Sequence, residues 1–375
     1  MTVKLLIVDD SGFMRIALRN MVKSDANIEI IGEAKNGKEA LTFIKEKKPN
    51  VVTMDVEMPV MDGLSCVKEI MKTDPVPVIM VSSLTQSGAK TTMQALEYGA
   101  VDFISKSSSF VQLDIVKIEK ELREKIHYWA KHPLKRVSIA RTNRLNTATK
   151  TEPSKTLKRA TPRLSFSSPK VEINKDIKKL TPIRGVEIVV IAVSTGGPKQ
   201  LFDVLEVMEP LKCPMVIAQH MGSQFTKSFA EHLGTRVKLD VKEGKNGQEI
   251  GPGNIIVAPG SMNTSIKKSL SGKLTLHVSE EPPVVVKPSA NILFGSVINT
   301  VKSSIGVILT GMGDDGTEGA LKFIDKKWPV LVQKPETCVV GGMPGAAISA
   351  GAVSEVLELE AIGKQLKKWV GQSSI

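Results

Sequence analysis

A chain of 375 residues with 41% apolar side chains is long enough to bury two ordinary cores. No uncharged apolar run reaches the roughly 18 residues of a membrane span, and Met1 to Asp10 leads straight into a strand rather than a signal peptide, so a cytoplasmic protein with no membrane insertion is expected. The net charge of +12 raises nucleic-acid binding, but Lys131 to Arg184 alone hold 15 Lys and Arg against 3 acids, which is the whole excess; a basic stretch rich in Ser, Thr and Pro reads as a solvated linker, with no nucleic acid as partner.

The first 130 residues alternate strand and helix. Apolar strands are predicted at Val3 to Val8, Val51 to Met54, Val78 to Val81 and Val101 to Ile104, with helices at Met14 to Lys23, Gly37 to Lys47, Leu64 to Lys72 and Lys90 to Tyr98. This alternation implies a parallel sheet whose strand ends open on one edge. That edge carries Asp9 and Asp10, Asp55, Ser83 and Lys106. Three carboxylates suit Mg²⁺, which binds through one or two of them together with phosphate oxygens and water; Lys106 and Ser83 can serve a phosphoryl group on Asp55.

Together these groups resemble the receiver domain of response regulators, a flavodoxin-like fold. The resemblance rests on VDDSGFMR at Val8 to Arg15, MDVEMPVMDG at Met54 to Gly63, MVSS at Met80 to Ser83 and GAVDFISK at Gly99 to Lys106. It implies phosphorylation of Asp55 by a histidine kinase of the pathway, Mg²⁺ held by Asp9 or Asp10 with Asp55, and an aromatic switch residue at Phe103. One departure is Ser107, where the family usually has Pro.

From Lys131 to Arg184 there is no sustained period, and five prolines interrupt the segment, which reads as a basic interdomain linker. Glu119 to Lys131 before it is helical in composition and closes the first domain, residues 1–130. Residues 185–375 form a second, again with an alternating α/β pattern. The apolar run Ile188 to Val193 ends in Ser194-Thr195-Gly196-Gly197-Pro198, a strand, tight turn and helix start; Ser194 is there either a nucleophile or a helix cap. Pro214 to Ala218 ends in Gln219 and His220, and Ile305 to Leu309 ends in TGMGDDG, Thr310 to Gly316. Strands are also expected at Asn254 to Ala258, Lys273 to Val278 and Pro329 to Val332, and helices at Ser289 to Val301, Gly316 to Lys326 and Met343 to Ala350.

Acyl transfer needs a nucleophile, a base, a carboxylate that orients the base, and donors for the oxyanion. Of five histidines, His220 alone ends a buried strand, and Asp314 or Asp315 ends a third. The order Ser, His, Asp, with Ala192 where an α/β-hydrolase elbow has Gly, argues against an ordinary α/β-hydrolase. Cys66, Cys213 and Cys338 lie far apart with no CxxC spacing and read as apolar fillers.

The second domain resembles the catalytic domain of the CheB-type chemotaxis receptor methylesterases, through VSTGGP at Val193 to Pro198, QHM at Gln219 to Met221, VAPG at Val257 to Gly260, KPSANILF at Lys287 to Phe294, LTGMGDDG at Leu309 to Gly316 and GGMPGAA at Gly341 to Ala347. A doubly wound, mostly parallel, Rossmann-like domain follows. The resemblance implies a Ser194-His220-Asp315 triad, oxyanion groups at Thr195 and Met312, methyl-accepting chemoreceptors as substrates, hydrolysis of glutamate methyl esters with glutamine deamidation, no cofactor for the esterase reaction, and a receiver that covers the active site until phosphorylated. Asn263 and Asn291 depart from the family's His and Asp, outside the triad, and bear on the substrate groove. A monomer is expected. A DNA-binding response regulator is the rival reading, but the second domain offers no helix-turn-helix.

Overall fold

The computed structural model describes residues 2–82, 85–106, 112–134, 177, 179–182, 185–208 and 211–370. Ser83, Ser107 and most of the expected linker lie outside the described residues.

The N-terminal half contains β1 (Val3–Val8), α1 (Gly12–Lys23), β2 (Ile28–Ala34), α2 (Gly37–Lys47), β3 (Val51–Asp55), α3 (Gly63–Thr73), β4 (Val78–Ser82), α4 (Gln86–Glu97), β5 (Asp102–Ser105) and α5 (Gln112–Lys131). The sheet is parallel in the order β2-β1-β3-β4-β5, the flavodoxin-like arrangement. β3 and β4 are buried on both faces and so read as continuous apolar runs. Four helices begin at a side-chain cap, with Ser11, Asn36, Asp62 and Thr85 accepting from the backbone N–H three residues on. β2 was not among the expected strands: IEIIGEA lies at the sheet edge, mostly half-buried, and lacks the dense apolar run of its neighbours.

The C-terminal half contains β6 (Ile188–Val193), α6 (Gly197–Leu205), β7 (Met215–Gln219), α7 (Ser223–Val237), β8 (Val241–Glu243), β9 (Glu249–Ile250), β10 (Ile255–Val257), β11 (Asn263–Lys268), β12 (Leu274–Ser279), α8 (Ala290–Ile298), β13 (Ser304–Ile308), α9 (Thr317–Asp325), β14 (Val330–Gln333), α10 (Gly342–Ser349), β15 (Glu355–Leu357) and α11 (Leu359–Val370). A seven-stranded parallel sheet runs β15-β14-β13-β6-β7-β10-β8. A small sheet, β11-β12-β9, is antiparallel and was not expected as a unit.

The chain winds outward from β6 through β7, then returns to lay β13 on its other side. The crevice between β6 and β13 is therefore the point where the winding reverses, and the carboxyl ends of strands at such a point are where α/β sheets place ligands. All six side chains of β6 are buried, so the strand is fixed on both faces and its end is held in place.

The two halves touch along a broad seam. Leu122, Ile126 and Trp129 of α5 share an apolar cluster with Val339, Val340 and Met312, and Tyr128 Oη donates to the Val339 carbonyl at 2.8 Å. On the other side Phe103 of β5 packs on Phe225 of α7 with ring centroids 4.6 Å apart. Gln224 donates to Ser105 Oγ, and Glu97 of α4 meets both Arg236 and His232 of α7, the latter at 3.2 Å. All three cysteines are buried, as expected of fillers. Among the described residues no helix is long and apolar enough to cross a membrane.

Candidate active site

Ser194 is the first residue past β6, and β6 and β7 pair in register up to Val193 against Gln219, so Ser194 and His220 leave adjacent strands side by side. The next turn requires glycine: Gly196 has φ +79°, and a Cβ there would lie 2.3 Å from Val339 Cβ. On the other flank a Cβ at Gly311 would stand 2.8 Å from Ser194 Cβ and 2.2 Å from Met343 Sδ, so only glycine lets the end of β13 come this close to the serine. The backbone is tied as tightly, with Ser194 N–H donating to Thr310 O at 2.9 Å and Gln219 Nε2 donating to Ser194 O at 3.0 Å.

His220 Nε2 lies 2.8 Å from Asp315 Oδ2. With the Nε2 proton directed at the carboxylate, Nδ1 is left as the acceptor. Among the described residues neither Nδ1 nor the Ser194 hydroxyl forms a hydrogen bond, a looseness common in free enzymes. The structure thus joins His220 to Asp315 and leaves Ser194 adjacent but unbonded to the ring.

Asp315 is the residue most elaborately held. Oδ2 also accepts from Ala290 N–H at 2.7 Å, and Oδ1 accepts from Asn291 N–H at 3.0 Å and Ser289 Oγ at 3.1 Å. The carboxylate therefore caps the N-terminus of α8, where free N–H groups and the helix dipole favour negative charge. Burial raises its pKa, but the hydrogen bond and charge of His220 and the two N–H donors outweigh this and leave it below the ordinary carboxylate value. Asp314, the alternative left open by the residues alone, points its side chain to solvent.

Asn263 and Asn291, the C-terminal half's two departures from the family pattern, both act as braces. Asn291 Oδ1 accepts from the N–H groups of Gly316 and Gly319 at 3.1 and 2.9 Å, capping α9 from another helix because Gly316 has no side chain to do so. Asn263 accepts from Ser289 N–H at 3.3 Å. Ser289 is a functional neighbour that sequence reading took only as a helix start; the SAN of Ser289 to Asn291 has the look of a helix cap and gives no sign of what it caps. Thr195 is buried and Met312 half-buried, and their backbone N–H groups make no hydrogen bond among the described residues. Met312 also packs on the N-terminal half and lines a cleft with Asp25, Arg123 and His127.

A second cluster lies at the carboxyl edge of the N-terminal sheet. Asp9, Asp10 and Asp55 offer carboxylate oxygens all within 4.8 Å of one another. Lys106 Nζ is 2.8 Å from Asp55 Oδ1 and 2.9 Å from Asp9 Oδ2. Asp9 is fully buried and its Oδ2 faces the Lys106 ammonium; the three carboxylates together are an oxygen donor set that a hard cation fits. Burial, with Asp9 adding to it, raises the Asp55 pKa against the pull of Lys106; Lys106, though burial opposes it, is raised by the two carboxylates. Phe103 lies at the seam, its carbonyl accepting from Lys125 Nζ at 2.7 Å.

The family model described as CheB methylesterase matches residues 189–366, and that described as response regulator receiver domain matches residues 5–116. Protein-glutamate methylesterase/protein-glutamine glutaminase 1 of Oleidesulfovibrio alaskensis is 42% identical over 364 residues, 96% of either chain. The protein of Pyrococcus horikoshii named protein-glutamate methylesterase/protein-glutamine glutaminase is 37% identical over 371 residues, covering 98% of this chain and 94% of its own. Among solved structures, the Thermotoga maritima CheB methylesterase catalytic domain is 35% identical with a TM-score of 0.47, covering 49% of this chain and 98% of its own.

Proposed function

The chain belongs to the protein-glutamate methylesterase/protein-glutamine glutaminase family, a receiver joined to a CheB methylesterase domain, and from that premise we propose that Ser194, His220 and Asp315 hydrolyse glutamate methyl esters on chemoreceptor helices under control of phosphorylation at Asp55. The observation that carries the reading is the 2.8 Å contact of His220 Nε2 with a carboxylate that three further donors hold in place, at the strand end beside Ser194.

In this reading His220 Nδ1 takes the Ser194 hydroxyl proton as Oγ attacks the ester carbonyl. Asp315 keeps the ring in the tautomer that leaves Nδ1 free and stabilises the imidazolium that forms. The oxyanion is met by the N–H groups of Thr195 and Met312. Collapse of the tetrahedral intermediate breaks the bond to methanol, which leaves with the proton from His220. A water, deprotonated by the same nitrogen, then resolves the acyl-enzyme to glutamate and restores Ser194. Deamidation of glutamine follows the same steps with ammonia as leaving group.

Residues 1–130 act as the receiver and 185–375 as the catalytic domain, with 131–184 as linker. Asp9, Asp10 and Asp55 would hold Mg²⁺, which supplies charge neutralisation for phosphoryl transfer when bound. The phosphodonor is the pathway's histidine kinase. Packing of α5 on Met312 and Val339 fits a receiver that restricts the esterase site until Asp55 is modified.

The test is release of methanol from methylated receptor membranes, with and without a small-molecule phosphodonor. Ser194→Ala should abolish release and Asp55→Asn should abolish only the response to phosphodonor. Methanol release that survives Ser194→Ala overturns the nucleophile assignment.

A further inference from the structure

One apolar feature at the esterase end of the sheet has no part in the triad. The loop from Glu280 to Pro288 delivers the chain to α8, and both of its ends are clasped by a single side chain. Asn263, 2% exposed, donates from Nδ2 to the Pro282 carbonyl at 2.9 Å while its Oδ1 accepts from Ser289 N–H at 3.3 Å. Lys287 Nζ closes the neck again by donating to Glu280 O at 2.6 Å. Between these clasps the loop holds out two adjacent valines, Val285 at 88% and Val286 at 39% exposure. A braced loop cannot fold such side chains back onto the core, so their contact with water is a standing cost unless something covers them.

The position of the tip narrows what that is. Ser289 is bonded to Asp315, and Asp315 to His220. Val286 precedes Ser289 by three residues, so their Cα atoms are at most about 11 Å apart. That places the tip within the width of one α-helix with its side chains, about 10–12 Å, of the residue that holds Asp315. A helix presenting an esterified glutamate to the site beside Asp315 would lay an adjoining turn against the tip. The receiver is not the occupant: Val285 is exposed with the receiver docked, because the seam runs along α7, Met312 and Val339.

Resting on the esterase reading above, we infer that Val285 and Val286 form a substrate-positioning contact that takes the apolar flank of the amphipathic helix carrying the esterified glutamate. Apolar residues three and four positions from the glutamate share its side of that helix and reach the tip when the ester reaches Ser194. Because the receiver leaves the tip open, substrate can be held here before the catalytic groups are uncovered.

The full-length Val285→Ser/Val286→Ser double variant tests this against wild type and a Leu270→Ser control, Leu270 being a still more exposed apolar side chain in the β11–β12 turn. Three readouts are needed: methanol release against receptor-membrane concentration, labelling of the nucleophile by a fluorophosphonate, and mass in solution. The expected result is a rise of about tenfold in apparent KM with kcat, labelling and mass unchanged, and no effect of the control. An unchanged KM in an enzyme whose wild type turns over removes this inference alone. A parallel fall in kcat and labelling assigns the loop to holding Asp315 instead, and a wild-type dimer broken by the variant makes the tip a self-interface; either overturns the inference. A wild type that releases no methanol removes the esterase reading and this contact with it.

Discussion

Asp315→Asn is the sharpest test of the site, because the wild-type carboxylate accepts from four donors and an amide of the same shape cannot. His220 Nε2 and Ala290 N–H converge on Oδ2, while Asn291 N–H and Ser289 Oγ converge on Oδ1. An amide oxygen can replace only one of these positions, and its NH₂ then faces a backbone N–H at the other. One buried donor is left unpaired in either orientation, at a cost of about 1–3 kcal/mol in stability. If the NH₂ faces His220, the ring must also move its proton to Nδ1, and the nitrogen meant to accept from Ser194 becomes a donor. A tautomer error of that kind lowers kcat by about 10⁴, or about 5 kcal/mol of transition-state stabilisation. The stability loss has a defined pH dependence. Asp315 has a folded pKa below its ordinary 3.8, so its ionised form stabilises the fold above the unfolded value, and that contribution is lost as pH falls through the folded one. The stability gap between wild type and Asp315→Asn should therefore be level near neutrality and close only in strong acid. Methanol release and urea melts across pH are the assays. Asp315→Asn and Asp315→Ala enzymes that both stay within tenfold of wild-type kcat would refute the claim that this contact sets the histidine tautomer.

Asn263→Ala leaves Pro282 O and Ser289 N–H without their clasp and should cost about 1–3 kcal/mol in a denaturant melt, with activity falling only as Asp315 loses its alignment. Burial pushes the Cys66 and Cys213 thiols up to about 12 and raises Cys338 as well, so the folded protein at pH 8 should resist a thiol-specific disulfide reagent and react fully once unfolded. Lys106→Met removes the ammonium that is ion-paired to both the Asp9 and Asp55 carboxylates; phosphorylation from a small-molecule donor, read by phosphate-affinity electrophoresis, should be lost while basal esterase activity persists.

The parts of this molecule that were legible in the sequence are those in which chemistry sits directly on a dense apolar strand. β6 and β7 are uninterrupted apolar runs, so Ser194 and His220 announce themselves at their ends. Asp315 is different: it lies seven residues past β13, beside a second aspartate, and what singles it out is a set of donors on α8 about 25 residues earlier. No local pattern encodes that meeting. What Asn263 and Asn291 hold was hidden for the same reason, since a side chain that braces a helix start other than its own carries no cap signature in its own neighbourhood. β2 escaped because an edge strand with half-buried faces has little hydrophobic periodicity to detect. The seam between the halves was equally silent: Tyr128, Glu97 and Arg236 look like ordinary helix-surface residues until the partner face is present.

That seam suggests how a charge on Asp55 could reach the esterase. Lys106, ion-paired to Asp55, is joined by a single peptide bond to Ser105, and Ser105 accepts a hydrogen bond from Gln224 of α7. Lys106 N–H also donates to Ser82 O at 2.7 Å, so the lysine cannot shift toward an added phosphoryl group without disturbing the end of β5. Phe103, two residues before Ser105, packs on Phe225 of the same helix at 4.6 Å. In the proposed regulation, a charge on Asp55 acts on the end of an edge strand that pairs with β4 on one side and carries the Phe103 and Ser105 contacts to α7, which is a differential interaction of the kind a two-state device requires. Gln224→Ala removes one interdomain hydrogen bond while leaving both active sites intact. At about 0.5–1.5 kcal/mol for such a bond, the docked population should weaken about two- to tenfold, raising basal methanol release and shrinking the further gain from phosphodonor by the same factor. The two changes must be reciprocal, because both draw on one docking equilibrium. Higher basal activity with an undiminished response, or no change in either, would show that the Ser105 contact does not report the state of Asp55 to the catalytic domain.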